Sequence, residues 1–174
     1  MTTEELEDFE LKRKAEVQLN PGCCIDLLCT TKKSKFNKSI NLFKKSAEKY
    51  KSLQQFRKAG DIYEKCAEIK INLKENPLEF YNESISCYEN IYSDANVKKI
   101  FFRINNYYEK KGEYLEAGKN CENFGNKAEK LKIYKDAIFY YEEAIKYYNK
   151  DTGCENMKNK LQIKLNELNE LYDK

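Results

Sequence analysis

Apolar side chains return every third or fourth position along most of this chain. Phe36, Ile40, Phe43, Ala47 and Tyr50 form one stripe, and Phe56, Ala59, Tyr63, Cys66 and Ala67 form the next. Leu78, Tyr81, Ile85, Tyr88 and Tyr92 follow, then Val97, Ile100, Phe101, Ile104 and Tyr108. Further stripes run through Tyr114, Ala117, Cys121, Phe124 and Ala128, through Tyr134, Ala137, Ile138, Tyr141, Ile145 and Tyr148, and through Met157, Leu161, Leu165, Leu168 and Tyr172. Residues three and four apart share one face of a helix, so each stripe predicts an amphipathic helix with one buried side. The alternation that marks a half-buried strand is hardly visible, and the expected class is all-α.

Local punctuation divides the chain in the same places. Asn76-Pro77-Leu78-Glu79 supplies an N-cap and a first-turn proline, while Gly112 after Lys110-Lys111 and Gly153 after Lys150 read as helix stops. Helix starts are expected near residues 36, 56, 77, 96, 114, 134 and 154, with an eighth helix near 3–19. Each helix with its turn then takes about 20 residues and each pair about 40, the period of a helical-hairpin solenoid. The segment Phe36–Tyr50 also resembles Tyr134–Tyr148 in its aromatic, Ser/Ala-Ile and acidic-aromatic positions. The expected architecture is a right-handed superhelix of antiparallel helix pairs, tetratricopeptide-like, forming a single helical-repeat domain over residues 1–174. Within it, 1–19 is read as the first helix, 20–34 as a loop and 35–174 as stacked hairpins.

Composition narrows the chemistry. Lys and Arg outnumber Asp and Glu by only 32 to 29, a net charge of +3, so no bulk basic field is present to hold nucleic acid. Histidine is absent, which removes the Ser-His and Cys-His dyads, the imidazole metal ligand and the side chain that titrates near neutrality. Phosphate loops, zinc-finger spacing and nucleophile elbows are missing too, so no catalytic residue, metal or cofactor is expected. The seven cysteines are scattered, odd in number and without a C-x-x-C pair, a pattern of reduced cytosolic thiols. No apolar run is long enough to span a bilayer, and the opening Met1-Thr-Thr-Glu-Glu-Leu-Glu-Asp8 is acidic where a secretory signal is basic. A cytoplasmic protein is expected.

The aromatic stripes read as interhelix core, and Glu142-Glu143, Glu4-Glu5 and Glu64 read as solvated carboxylates paired with lysines. Lys119 lies about 200° around the helix from Ala117 and therefore away from the buried stripe, and Lys160 borders the stripe beside Leu161. Residues 20–34 stand apart: Pro21-Gly22 breaks the first helix, and Cys23, Cys24, Ile25, Leu27 and Leu28 cluster before Lys32, Lys33 and Lys35. Loops normally run over the surface, so an apolar loop calls for an explanation.

Three stretches resemble the soluble NSF attachment protein (SNAP) family, in particular its alpha members. One is this loop, with paired apolar residues at 23–24 and 27–28 ahead of Ser34-Lys35. Another is Phe56-Arg-Lys-Ala-Gly-Asp-Ile-Tyr63 followed by Lys65-Cys-Ala67. The longest begins at Gly112-Glu-Tyr-Leu-Glu-Ala-Gly-Lys119, continues through Lys135-Asp-Ala-Ile-Phe-Tyr-Tyr-Glu-Glu-Ala-Ile-Lys-Tyr-Tyr148 and ends at Asn159-Lys160-Leu161. The order of these segments and the apolar loop carry the resemblance. Departures include cysteines where the family's loop has aromatics, the lack of Trp, and Glu113 where a basic residue is common.

The resemblance implies an adaptor, not an enzyme, that binds assembled SNARE bundles and links them to the NSF AAA+ ATPase for disassembly. It implies that Lys119 and Lys160 contact acidic residues of the SNARE bundle. It also implies that Cys23, Cys24, Ile25, Leu27 and Leu28 touch the membrane, with Lys32, Lys33 and Lys35 near anionic lipid. Folding of that loop back onto the first helices is the competing reading, and adjacent Cys23-Cys24 also admit S-acylation. Family members are longer and meet the ATPase through a C-terminal bundle, so this chain is expected to correspond to the amino-terminal portion. One rival is a tetratricopeptide-like module that holds an extended peptide in its concave groove. Another is a helical enzyme enclosing an isoprenoid or lipid, which the lack of His and of Asp-rich metal motifs disfavours.

Overall fold

The computed structural model describes residues 9–16, 29–91 and 94–172. Among these the chain is all-helical, with eight helices and no strand. Helix α1 covers 9–16, α2 Cys29–Ser52, α3 Phe56–Asn72, α4 Leu78–Glu89, α5 Asp94–Lys111, α6 Tyr114–Lys130, α7 Tyr134–Tyr148 and α8 Glu155–Tyr172. The chain divides into two compact units, Met1–Ile100 and Phe101–Lys174.

In the first unit the helices form two layers. Helices α2 and α4 share one layer, joined by Lys44–Glu79 at 3.1 Å and Lys51–Glu83 at 3.0 Å. The other layer holds α1, α3 and the start of α5, joined by Lys65–Glu16 at 3.0 Å and Lys99–Glu64 at 2.7 Å. The second unit repeats the plan. There α6 and α8 lie side by side through Lys164–Glu129 at 2.7 Å, while α5 meets α7 through Phe101–Tyr140 and Phe102–Phe139, with ring centroids 4.7 and 6.2 Å apart.

Between the layers, tyrosines insert over small residues. The Tyr88 ring lies against Gly60, Tyr141 against Gly125 and Tyr148 against Gly118. Each phenol keeps a hydrogen-bond partner, since a buried hydroxyl without one costs about 1–3 kcal/mol. Tyr63 donates to Glu48, and Tyr148 to Glu122 at 2.9 Å. Tyr88 sits between Glu64 and Asp61 at 2.6 and 2.7 Å, and Tyr141 between Glu129 and Asn126 at 2.7 and 2.8 Å. Burial, then the adjacent carboxylate, pushes all four phenols above their usual range.

Four turns close in one way. Gln55, Glu75, Glu113 and Ile133 donate their amides to the carbonyls of Tyr50, Lys70, Tyr108 and Ala128, at 2.8, 2.8, 3.0 and 2.9 Å. In every case the preceding residue is left-handed: Gln54, Lys74, Gly112 and Lys132 have φ of 57°, 56°, 72° and 61°. This is the Schellman closure, which satisfies the last carbonyls of a helix. Only at Gly112 is it free of Cβ strain. Lys132→Gly is therefore expected to stabilise the second unit by roughly 0.5–1 kcal/mol, read as a higher midpoint in urea.

Asn76 Oδ1 accepts from the Leu78 amide at 2.9 Å, while Pro77, not Asn76, takes the N-cap position of α4. Elsewhere the structure corrects the expected boundaries and environments. Residues 29–34 belong to α2 instead of a loop, because Cys29-Thr-Thr-Lys-Lys-Ser34 contains no Gly or Pro to halt the helix. The stop after α7 falls at Asn149, and Gly153 serves a side-chain turn, its amide donating to Asp151 Oδ1 at 3.0 Å. Glu64 is buried, not solvated, because Tyr88 and Lys99 converge on it from α4 and α5. Met157 is 40% exposed although its stripe continues into buried Leu161, Leu165 and Leu168.

Glu75, in the α3–α4 turn, is held at a pKa of about 2 by Lys33 and then Lys70, whose ammonium groups lie 2.7 and 2.6 Å away. A folded-state pKa below the unfolded value means the contribution is complete above the ordinary carboxylate range and disappears as pH falls through the folded value. The melting-temperature gap between wild type and Glu75→Gln is thus expected to shrink between pH 4.5 and about 2.

Candidate functional site

The two lysines singled out in the sequence lie on adjacent helices of the second unit. Lys119 is on the second turn of α6, and Lys160 is on α8 beside buried Leu161. Two cross-connections set the register of these helices. At one end Lys119 is close enough to Cys154, just ahead of α8, to depress its thiol pKa, although burial and Asp151 leave that thiol raised overall. Further along, Lys164 Nζ reaches Asn126 Oδ1 at 2.9 Å and Glu129 at 2.7 Å. The helices therefore run in the same direction.

Helical arithmetic then places the lysines on one side of this pair. Asn126 is seven residues after Lys119 and shares its face of α6; Lys160 is one turn before Lys164 and shares the face of α8 that reaches Asn126. Taking the Lys164 contacts as the level, Lys160 lies roughly 5–9 Å farther along the helix direction than Lys119. Met157 keeps the same heptad phase as Lys164, which explains its exposure: it borders the α6 side of the buried stripe instead of occupying its centre.

Their surroundings differ. Lys119 donates to Glu116 at 2.9 Å, and that carboxylate raises its pKa. Exposed pairs of this type contribute about 0–1 kcal/mol, so an external carboxylate can replace Glu116 at little cost. Lys160 is exposed and has no ion-pair partner among the described residues.

Behind both lies a node that the sequence reading did not pick out. Lys164 Nζ lies 4.7 Å from the Tyr141 ring centroid, and the Tyr141 hydroxyl shares Asn126 and Glu129 with it. Three helices meet at these four residues. Burial alone raises the Glu129 pKa, but the hydrogen bonds from Lys164 and Tyr141 outweigh it and leave the carboxylate lowered and charged. Lys164 contributes polar contacts to this node, whereas the Lys119 ammonium pairs only with Glu116 of its own helix among the described residues and Lys160 is exposed.

Three buried cysteines are held in the thiol form. Burial pushes the Cys66 and Cys121 thiols up to about 12 and Cys87 to about 11, so none is a thiolate near neutrality. Among the described residues, no cluster of His, Cys, Asp or Glu is placed to hold a metal ion. No helix there is long and apolar enough to cross a membrane. Cys23, Cys24, Ile25, Leu27 and Leu28, the membrane-contacting group expected from the sequence, lie outside the described residues.

Compared with protein-family models, residues 7–174 match the one described as soluble NSF attachment protein, SNAP. No curated protein matches the chain.

Proposed function

The chain belongs to the soluble NSF attachment protein family, and from that premise we propose that it is an adaptor that grips assembled SNARE bundles along the α6–α8 side and couples them to the NSF ATPase. It is a binding protein, not an enzyme, and it works in the cytoplasm at the membrane surface. The observation that carries this reading is the presence of Lys119 and Lys160 on one side of two parallel, adjacent helices, in a chain matched by the family over residues 7–174.

A SNARE bundle is a rod of packed helices with acidic residues along its flank. Lysines spaced along parallel helices can meet it at several points, each contact weak and exposed, and the sum carried by electrostatics. Association is then fast and strongly salt-dependent. The apolar segment Cys23, Cys24, Ile25, Leu27 and Leu28 adds a membrane contact, and two simultaneous attachments raise the effective concentration of each.

The test is a titration of the purified chain into a preassembled SNARE four-helix bundle at low and physiological salt. Binding that weakens as salt rises is expected. No binding at either salt with helicity intact overturns the reading, and tighter binding of a single extended acidic peptide transfers it to the peptide-groove alternative.

A further inference from the structure

Helix α2 carries basic residues on two sides. Lys44 and Lys51 face α4 and are neutralised by Glu79 and Glu83. About 100° around the helix, Lys38, Asn41, Leu42 and Lys45 follow at i, i+3, i+4 and i+7. They line a shallow cavity of about 290 Å³. Lys38 and Lys45 are exposed, Leu42 is half-buried between them, and neither lysine has an ion-pair partner among the described residues. Their ammonium groups spring from positions about 10 Å apart along the helix.

We propose that this cavity seats the headgroup of an anionic phospholipid, with Lys38 and Lys45 holding the negative charge, Asn41 donating to it and Leu42 meeting the start of the acyl chain. The inference rests on the membrane-contact reading above and adds to it a seat for a single headgroup on α2. Charge complementarity selects the occupant. Two unneutralised cations flank one apolar side chain in a hollow only a helical turn or two long, which matches a ligand carrying an anion and a hydrocarbon within the same small footprint. An acidic helix would present a row of carboxylates and leave Leu42 against polar surface. Each lysine near an anionic membrane surface contributes about fivefold to partitioning.

The full chain is sedimented with vesicles of phosphatidylcholine and with vesicles of phosphatidylcholine containing phosphatidylserine. Lys38→Gln/Lys45→Gln is expected to lower partitioning onto the phosphatidylserine vesicles by about 30-fold and leave that onto neutral vesicles unchanged. Lys130→Gln/Lys132→Gln removes the same net charge from the second unit and is expected to change either by less than about threefold. Equal losses in the two variants, or no preference of the wild type for phosphatidylserine, overturn the proposal.

SNARE-bundle titration of Lys38→Gln/Lys45→Gln completes the test. Unchanged bundle affinity with lost vesicle binding is expected; lost bundle affinity with retained vesicle binding assigns the pair to an acidic protein partner and overturns the lipid seat. A wild type that ignores SNARE bundles yet shows the phosphatidylserine pattern overturns the adaptor reading alone.

Discussion

Reversing both charges on the α6–α8 side, Lys119→Glu with Lys160→Glu, is expected to weaken binding to a preassembled SNARE bundle by about 100-fold at low salt and to flatten its salt dependence. Each reversal exchanges an attraction for a repulsion against the same acidic flank, so the pair costs more than two deleted contacts. Neutral single variants, Lys119→Gln or Lys160→Gln, are expected to cost only about threefold each, because an exposed pair is worth little. The Lys119 variants also need an internal control. Glu116 lies 2.9 Å from Lys119, and a glutamate there would place like charges at helical neighbours, a local cost of about 0.2–0.5 kcal/mol. Circular dichroism and the urea midpoint separate that cost from lost binding. Undiminished affinity of the double variant for the bundle moves the grip away from α6 and α8.

Much of the helical layout was legible because burial follows a period that the residues display. Tyr63, Tyr81, Tyr88, Tyr141 and Tyr148 sat in the expected stripes and are the largest fully buried side chains. The Asn76–Leu78 hydrogen bond needed only residues two apart, and it formed, although the N-cap itself falls one residue later at Pro77. What depends on distant partners was not legible. Glu64 looks like any helix-face carboxylate until Tyr88 and Lys99, 24 and 35 residues away, close over it. The left-handed turn residues Gln54, Lys74 and Lys132 carry no glycine signal, since each is held by the Schellman bond of the residue after it and by the packing on either side. For the candidate site, periodicity showed that Lys119 and Lys160 avoid the core, and the family resemblance gave them a role. That they share one side of neighbouring helices required the Lys164 contacts, which join residues 38 and 35 positions apart.

The α6–α7 interface is the place where a small change should do most harm to stability. A Cβ at Gly118 would fall 2.2 Å from Cε1 and 2.5 Å from Cδ1 of Tyr148, well inside van der Waals contact. The ring has little room to yield, for Tyr148 is 1% exposed and its hydroxyl is bound to Glu122. At an open helical position Gly→Ala stabilises by about 1 kcal/mol. Gly118→Ala is instead expected to destabilise the chain by about 1–3 kcal/mol, the cost of overpacking a filled interface. Gly153→Ala, with nothing nearer than Asp151 Oδ1 at 3.5 Å, serves as the neutral control. A double-mutant cycle identifies the cause: with Tyr148→Ala already made, Gly118→Ala should become neutral or stabilising, giving a coupling above about 1 kcal/mol. Additive effects would mean that the ring is not what excludes the methyl group. Because Lys119 follows Gly118 on α6, a helix pushed off Tyr148 also carries that lysine away from the level of Lys160. Where folded Gly118→Ala protein is obtained, its affinity for the bundle should fall along with its stability, and removing the Tyr148 ring should restore part of both.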